Sequence, residues 1–292
     1  MLIIEGKYKI EAKIAEGTFG KLYKGHNANT GKKVAVKMER IHDHQLLLNE
    51  ARIYVALHKC KGVSTLRSFG TYGDFNYIVV DLFEHDLEEI IFRHQEELHA
   101  ERIFCWGHQV LRILQTIHET GILHRDIKPE NVMVSGEKLY LIDFGLSRFY
   151  RDHGGKHNPM KTGRGIVGTM RYASSNIHDG FSASRRDDLE SLAYTLIFLY
   201  HRTLPWLKLK DHDSAEQRDA VREMKTMVNM SEWCLAEGTP KELIEFLEYT
   251  KLLDYDATPK YKFFAEYKGL KPSLNNETLC QSPGSSDKSN GS

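Results

Sequence analysis

The pattern of apolar residues changes near Asp81, and this change constrains the fold of the chain more than any other feature. Before it, short segments rich in β-branched and aromatic residues alternate with turn signals, which is typical of strands. After it, apolar residues recur at helical spacing. The pattern predicts strands at 8–14, 21–26, 33–38, 65–71 and 76–82, and helices at 45–58, 187–201, 213–227 and 241–254. A further helix contains apolar positions from Ile103 to Ile117 and ends at Gly121. A strand-rich first third and a helix-rich remainder predict an α+β fold, with an antiparallel-sheet lobe, a mainly helical lobe and a cleft between them.

The charge balance gives no sign of a nucleic-acid or membrane partner. Lysine plus arginine and aspartate plus glutamate both number 40 among 292 residues, so no excess of one sign is available to attract a polyanion or a lipid surface. The first five residues lack the pattern of a signal peptide. The longest strongly apolar stretch, Leu192 to Tyr200, is too short to span a bilayer. We therefore expect no nucleic acid, no membrane, and a location in the cytoplasm, the nucleus or both.

A segment containing two glycines lies between the first two predicted strands. Its residues are Ile14, Ala15, Glu16, Gly17, Thr18, Phe19, Gly20, Lys21 and Leu22. Glycines in a strand–loop–strand let the backbone approach the phosphates of a nucleotide closely. A hairpin with two glycines is also an ordinary structural feature, so this segment alone does not identify a binding site.

Lys37 ends the apolar strand Val34-Ala35-Val36, seventeen residues after Gly20. An ammonium group on a strand above a cleft can neutralise the α- and β-phosphates of a nucleotide, and Glu50 on the following helix can hold it by an ion pair. For any lysine taken alone, an ordinary surface position is the more frequent case.

Two further motifs are far more specific. The segment His124-Arg125-Asp126-Ile127-Lys128-Pro129-Glu130-Asn131 matches H-R-D-x-x-x-x-N, and Asp143-Phe144-Gly145 follows after an apolar strand at 139–142. Phosphoryl transfer needs a positioned hydroxyl, cations and a metal site. Asp126 is expected to accept or orient the hydroxyl proton, Lys128 to steady the γ-phosphate, and Asn131 and Asp143 to bind Mg²⁺. These motifs, in this order, resemble those of protein kinases, which implies ATP and Mg²⁺ as cofactors.

Three other segments resemble the casein kinase 1 family of serine/threonine kinases. They are Gly168 to Asn176, with the letters GTMRYASSN, Ser184 to Leu192, with SRRDDLESL, and Leu204-Pro205-Trp206. The resemblance covers about residues 5 to 270. It implies a monomeric kinase that acts on serine or threonine near acidic or already phosphorylated residues. By alignment, Val80 resembles the gatekeeper, and Asp81, Leu82 and Phe83 the hinge that meets adenine.

The resemblance also divides the chain into three parts. Residues 1–83 are expected to form the N-lobe, 84–270 the C-lobe, and 271–292 a disordered, serine-rich tail. The chain departs from the family pattern at Ala15, which replaces a loop glycine, and at Glu84 and His85, which replace Gly-Pro after the hinge.

Arg164 and Arg171 are the candidates for binding a substrate anion. Two converging guanidinium groups can hold a phosphate by bidentate hydrogen bonds. The alternative is that Arg171 pairs with an internal acidic group and orders the loop.

Two alternatives to a protein kinase remain open at this point. A pseudokinase would bind partners or nucleotide without catalysis, but Lys37, Asp126, Asn131 and Asp143 are all present. A kinase for lipids or small molecules would not need the segments at 168–176 and 184–192, and these argue for protein substrates.

Overall fold

The computed structural model describes residues 2–17, 20–42, 46–93, 99–208 and 215–266. Within these ranges, six antiparallel strands and one helix form the first lobe. The strands are β1 (Ile3–Ile4), β2 (Tyr8–Gly17), β3 (Gly20–Asn27), β4 (Lys33–Arg40), β5 (Leu66–Tyr72) and β6 (Phe75–Asp81). They lie in the order β1-β2-β3-β4-β6-β5. Helix α1 (Leu46–Ala56) packs against this sheet and buries Leu47, Ile53 and Tyr54.

The second lobe is mainly helical. Its helices are α2 (Leu87–Arg93), α3 (Ala100–Glu119), α4 (Ser175–His178), α5 (Arg185–His201), α6 (Ala215–Met227), α7 (Met230–Ala236) and α8 (Lys241–Lys251). Its short strands are β7 (His85–Asp86), β8 (Ile122–Leu123), β9 (Val132–Ser135), β10 (Lys138–Leu141) and β11 (Arg148–Phe149). They form two small antiparallel sheets, β10-β9-β7 and β11-β8. The predicted α+β, two-lobed fold is confirmed.

Helices α3 and α5 form the centre of the second lobe. Helix α5 is buried almost along its whole length, including Leu189, Leu192 and Ile197. It begins with a capping box, in which the backbone N–H of Ser184 donates to Oδ2 of Asp187 at 2.7 Å. This bond satisfies the buried N–H of Ser184, and the N–H of Asp187 donates to the carbonyl oxygen of Ser184 at 3.2 Å.

The expected strands and helices form within one to three residues of their predicted limits wherever the structure describes them. Gly121 follows the end of α3 with φ of +83°, as expected of a residue that ends a helix. The predicted positions Gln45, 213–214 and 267–292 lie outside the described residues. The sequence pattern did not predict several short elements, namely β1, β7, β8, β9, β11, α2, α4 and α7. These elements are too short to show a hydrophobic period of their own.

None of the helices in the described ranges is long and apolar enough to cross a membrane.

Candidate active site

A cavity of about 620 Å³ lies between the six-stranded sheet and the helical lobe. Twelve of the residues predicted to bind nucleotide or metal line it, namely Ile14, Ala15, Gly20, Lys21, Leu22, Lys37, Glu50, Asp81, Leu82, Phe83, Asn131 and Asp143. Its apolar wall also contains Ala35, Ile78, Val80, Met133 and Ile142. Of these five, only Val80 was predicted from the sequence as a site residue. Their spacing gives a signal: Ala35 precedes Lys37 by two residues on β4, so both face the same side of the sheet.

The glycine-containing segment forms the hairpin between β2 and β3, in which Gly17 pairs with Gly20. Glu16 does not line the cavity, and its exposed carboxylate lies 2.7 Å from Lys13 Nζ and 3.4 Å from Lys21 Nζ. Gly20 has φ of +121°, and a Cβ there would lie 2.2 Å from the carbonyl oxygen of Met38. Only glycine fits this position. Thr18 and Phe19 lie outside the described residues.

Lys37 lies at the centre of an ion-pair network that joins the two lobes. Its Nζ is 2.8 Å from Oε2 of Glu50 on α1 and 3.0 Å from Oδ1 of Asp143. Burial alone lowers the pKa of Lys37, but the two carboxylates outweigh it and raise the pKa above its ordinary value. Burial also raises the pKa of Asp143, yet the Lys37 ammonium holds it below its usual range. Lys37 and Asp143 are therefore charged at neutral pH.

Asp126, the predicted base, is held by three neighbours and remains 8% exposed. Its Oδ1 accepts the backbone N–H of Thr169 at 2.7 Å. Its Oδ2 accepts from Nδ2 of Asn131 at 3.1 Å and lies 3.2 Å from Nζ of Lys128. Lys128 also donates to the Thr169 hydroxyl at 2.9 Å. Thr169 was not among the predicted site residues, and only the structure shows that it contacts this group.

Asp188 of α5 braces the loop that carries Asp126. Its carboxylate is 2% exposed and accepts the backbone N–H of His124 at 2.8 Å and that of Arg125 at 2.7 Å. It also lies 2.9 Å from Nε2 of His118. Arg125 has φ of +68°, a conformation that is costly for a residue with a side chain. These hydrogen bonds stabilise that conformation and therefore fix the position of Asp126.

One oxygen atom of each predicted metal ligand, Asn131 and Asp143, has no protein donor among the described residues. Asn131 uses its Nδ2 to bind Asp126, which leaves its Oδ1 without a partner. Asp143 uses Oδ1 to accept from Lys37 and from the backbone N–H of Gly145, which leaves Oδ2. An amide and a carboxylate oxygen in one cavity fit a hard divalent cation such as Mg²⁺, which takes few protein ligands and completes its shell with phosphates and water. In the same ranges, no cluster of three His, Cys, Asp or Glu side chains forms a metal cage.

The backbone that joins the two lobes runs along the edge of the cavity. The Asp81 carboxylate forms ion pairs with Arg67 and Lys32, each at 2.9 Å. Phe83 packs on Tyr140, with ring centroids 4.8 Å apart. Beyond them His85 pairs with Val134, so the Glu84-His85 departure from Gly-Pro is accommodated as strand β7 at the edge of β9. These contacts hold Asp81 and Phe83 beside the cavity, which both residues line.

The two predicted anion-binding arginines do not line one cavity. Arg164 is exposed and lines a second cavity of about 400 Å³, together with Arg125, Arg148 and Lys161. Arg171 does not line it. Burial raises the pKa of Glu88, and the charge of Arg171 opposes this rise, which places Arg171 near that carboxylate. The carbonyl oxygen of Arg171 accepts from Nε1 of Trp206 at 2.9 Å.

A comparison with protein-family models gives a match to the protein kinase domain over residues 8–261. This range contains every described residue of the candidate site and all the helices and strands named above except β1. Protein kinases in general use ATP and Mg²⁺, and the ion pairs and free oxygens of the cavity are compatible with both. The match extends over far more than half of the chain, which therefore belongs to the protein kinase family.

Proposed function

We propose that this protein is an ATP-dependent serine/threonine kinase of the casein kinase 1 type, which transfers the γ-phosphate of ATP to acidic or already phosphorylated proteins. We also propose that it acts as a monomer in the cytoplasm, the nucleus or both. One observation carries the catalytic part of this proposal. The Lys37–Glu50 and Lys37–Asp143 ion pairs are formed at 2.8 and 3.0 Å, in the same cavity that holds the free oxygens of Asn131 and Asp143.

In this proposal each group at the cavity has one task. The backbone of 81–83 binds the adenine, and the hairpin of 14–22 covers the phosphates. Lys37 stabilises negative charge on the phosphates, because two carboxylates raise its pKa and keep its ammonium group protonated. Asn131 and Asp143 hold Mg²⁺, which supplies charge neutralisation when it is bound. Asp126 orients the attacking hydroxyl, and Lys128 lies beside it to steady the transferred group.

The casein kinase 1 assignment rests on the segments at 168–176 and 184–192, which contact each other. The Ser174 hydroxyl donates to Oδ1 of Asp187 at 2.6 Å, and the backbone N–H of Ser175 donates to Oε1 of Glu190 at 2.9 Å. The Ser175 hydroxyl, which stands where the family has isoleucine, also binds Glu190 at 3.0 Å. Both resembling segments therefore form one hydrogen-bonded unit, which supports a shared family origin.

The preference for acidic substrates is supported by the second cavity. It is lined by Arg125, Arg148, Lys161 and Arg164, and none of these makes an ion pair with a carboxylate of the described residues. Burial and the charge of Arg148 lower the pKa of Arg125 to about 10. An anion bound among these groups would relieve the repulsion between like charges and gain charge-assisted hydrogen bonds.

Phosphate transfer to matched serine, threonine and tyrosine peptides tests the catalytic proposal. Asp143→Asn should abolish Mg²⁺-dependent transfer, because a neutral amide is a poor metal ligand. Asp126→Asn should lower kcat more than it weakens ATP binding. Asp254→Asn, at an exposed aspartate outside the cavities, is the control and should keep full activity. Nucleotide binding by the wild type without transfer to any peptide would instead favour the pseudokinase alternative.

Single substitutions separate the two roles considered for the arginines. Arg164→Ala should raise KM for a phosphorylated peptide and leave KM for its unphosphorylated counterpart nearly unchanged. If Arg171 serves mainly to order the loop, Arg171→Ala should impair both peptides equally and lower the melting temperature. Equal losses on both peptides with Arg164→Ala would remove the support for anion recognition at the second cavity.

A further inference from the structure

A third cavity, of about 640 Å³, lies in the helical lobe and shares no lining residue with the candidate active site. It is formed by the end of α3, the chain that follows β11, the start of α5 and the segment 258–263. Four cations line it: Arg151, Arg185, Lys260 and Lys262. Neither the catalytic proposal nor the anion site of the second cavity uses these residues.

The positive charge in this cavity is not neutralised. None of the four cations has a carboxylate oxygen of the described residues within 4 Å. Arg185 is only 6% exposed, and it donates to the Thr258 hydroxyl at 3.3 Å and to the carbonyl oxygen of Asp256. Glu119 is the one carboxylate in the lining, and it accepts a hydrogen bond from Gln115. A buried guanidinium with neutral partners only is costly, and an anion in the cavity would offset that cost.

The four cations form two pairs of different rigidity. The guanidinium groups of Arg151 and Arg185 both lie over the ring of Tyr150, 5.2 and 5.1 Å from its centroid. A guanidinium positioned in this way can donate charge-assisted hydrogen bonds to a phosphate. Lys260 and Lys262 lie on either side of the buried Tyr261 and are exposed, so their ammonium groups can adjust to a second anion.

We propose that this cavity binds a small organic molecule that carries two phosphate groups. The volume lies within the range of about 300–1,000 Å³ found for small-molecule sites. The fixed arginine pair accounts for one phosphate, and the lysine pair for the other. A phosphorylated peptide would use the same chemistry but needs an extended groove.

Hydrogen bonds connect this cavity to the catalytic loop. Nδ1 of His118, a lining residue, is 2.7 Å from the hydroxyl of Tyr261, and its Nε2 is 2.9 Å from Asp188. Asp188 in turn accepts the backbone N–H groups of His124 and Arg125. A ligand that shifts Tyr261 therefore acts on the loop of Asp126 through two side chains, and its binding should change kcat.

Calorimetric titration of the full chain with fructose 1,6-bisphosphate tests the proposal. Mg²⁺ and a non-hydrolysable ATP analogue are kept saturating, so that the nucleotide cavity is closed to the probe. We expect one saturable site that is weakened by at least about tenfold in Lys260→Gln/Lys262→Gln, because charged hydrogen bonds are lost. Lys24→Gln/Lys138→Gln, which changes two exposed lysines outside all three cavities, should bind as the wild type does.

Several results would overturn the inference. The site does not exist if no saturable binding is seen, or if the control pair loses as much affinity. If only Lys161→Gln/Arg164→Gln weakens the binding of fructose 1,6-bisphosphate, the probe binds in the second cavity. Inorganic phosphate binding as tightly as the bisphosphate would refute the two-phosphate ligand, and a phosphoserine peptide that displaces the bisphosphate with higher affinity would refute the small-molecule class. Turnover unchanged at saturating probe would refute the connection to the catalytic loop.

Discussion

Asp188→Asn is the substitution that most directly tests how the catalytic loop is held. The carboxylate accepts three hydrogen bonds, from His124, Arg125 and His118, at 2.7 to 2.9 Å. Asparagine keeps only one acceptor oxygen and places an NH₂ group where a donor now points. The two backbone N–H groups cannot both be satisfied, and Arg125 loses the contact that stabilises its φ of +68°.

The expected loss of unfolding free energy is large. Breaking a buried charged interaction by changing one partner costs about 3–5 kcal/mol, against a typical total stability of about 5–15 kcal/mol. The pKa of Asp188 adds a dependence on pH. Burial raises it, but the hydrogen bond from His118 and the backbone N–H groups hold it below the ordinary value of 3.8. The stabilisation is therefore present above pH 3.8 and is lost as the pH falls through the lower folded pKa.

Urea unfolding of the wild type and the variant at pH 7 and at lower pH measures both effects. Asp179→Asn is the control, because Asp179 forms an exposed ion pair with Arg222 at 3.0 Å and should cost less than about 1 kcal/mol. In activity assays Asp188→Asn should lower kcat and leave KM for ATP nearly unchanged, since Asp188 does not line the nucleotide cavity. A loss of stability no larger than that of the control, or a gap from the wild type that stays constant as the pH falls, would refute the reasoning.

Three further predictions follow from single positions. Lys37→Met should lower kcat by about 10²–10³-fold, as for other electrostatic catalytic groups. Lys33→Met, on the same strand but outside the cavity, should leave kcat unchanged. Equal losses for the two variants in steady-state assays would contradict the role assigned to Lys37. Ala15→Gly should change KM for ATP by less than about threefold, because substituting an exposed residue alters the free energy by about 0.5 kcal/mol. Strong inactivation would contradict the assignment of the hairpin as the phosphate-binding loop. Burial lowers the pKa of Lys225 to about 7, and an unfolded lysine keeps its proton to about pH 10.4. The wild type should therefore gain stability as the pH rises between these values, and Lys225→Met should not. Urea unfolding at pH 7 and 9.5 measures this gain, and an equal gain in the variant would contradict the prediction.

Much of the site was predictable because its chemistry is concentrated in short contiguous segments. Asp126, Lys128 and Asn131 lie within six residues, and Asp143 follows soon after. Lys37 and Glu50 precede these residues in the sequence. The strand that carries Lys37 and the helix that carries Glu50 can both be recognised from the spacing of their apolar residues. The ion pair between Lys37 and Asp143 joins residues 106 positions apart, yet both were identifiable from their own motifs.

The prediction for Arg164 and Arg171 had no such support. Seven residues separate them in an irregular segment, where no period relates sequence distance to direction. In the structure Arg164 lines a cavity with Arg125, Arg148 and Lys161, and Arg171 does not. Which basic groups meet depends on how distant segments pack against one another, and the sequence carries no local signal for that.

The sequence by itself therefore determined the fold class, the kinase motifs and most of the residues that line the cavity between the lobes. These depend on local periods and on motifs whose order along the chain is diagnostic. Only the tertiary structure decided the rest: that Asp188 braces the catalytic loop, that Thr169 contacts the candidate base, and that four cations from three segments share one cavity. The contact of Thr169 with Asp126 joins residues 43 positions apart, and that of Asp188 with Arg125 joins residues 63 positions apart. The neighbours of a residue in the sequence do not specify which distant surface will pack against it.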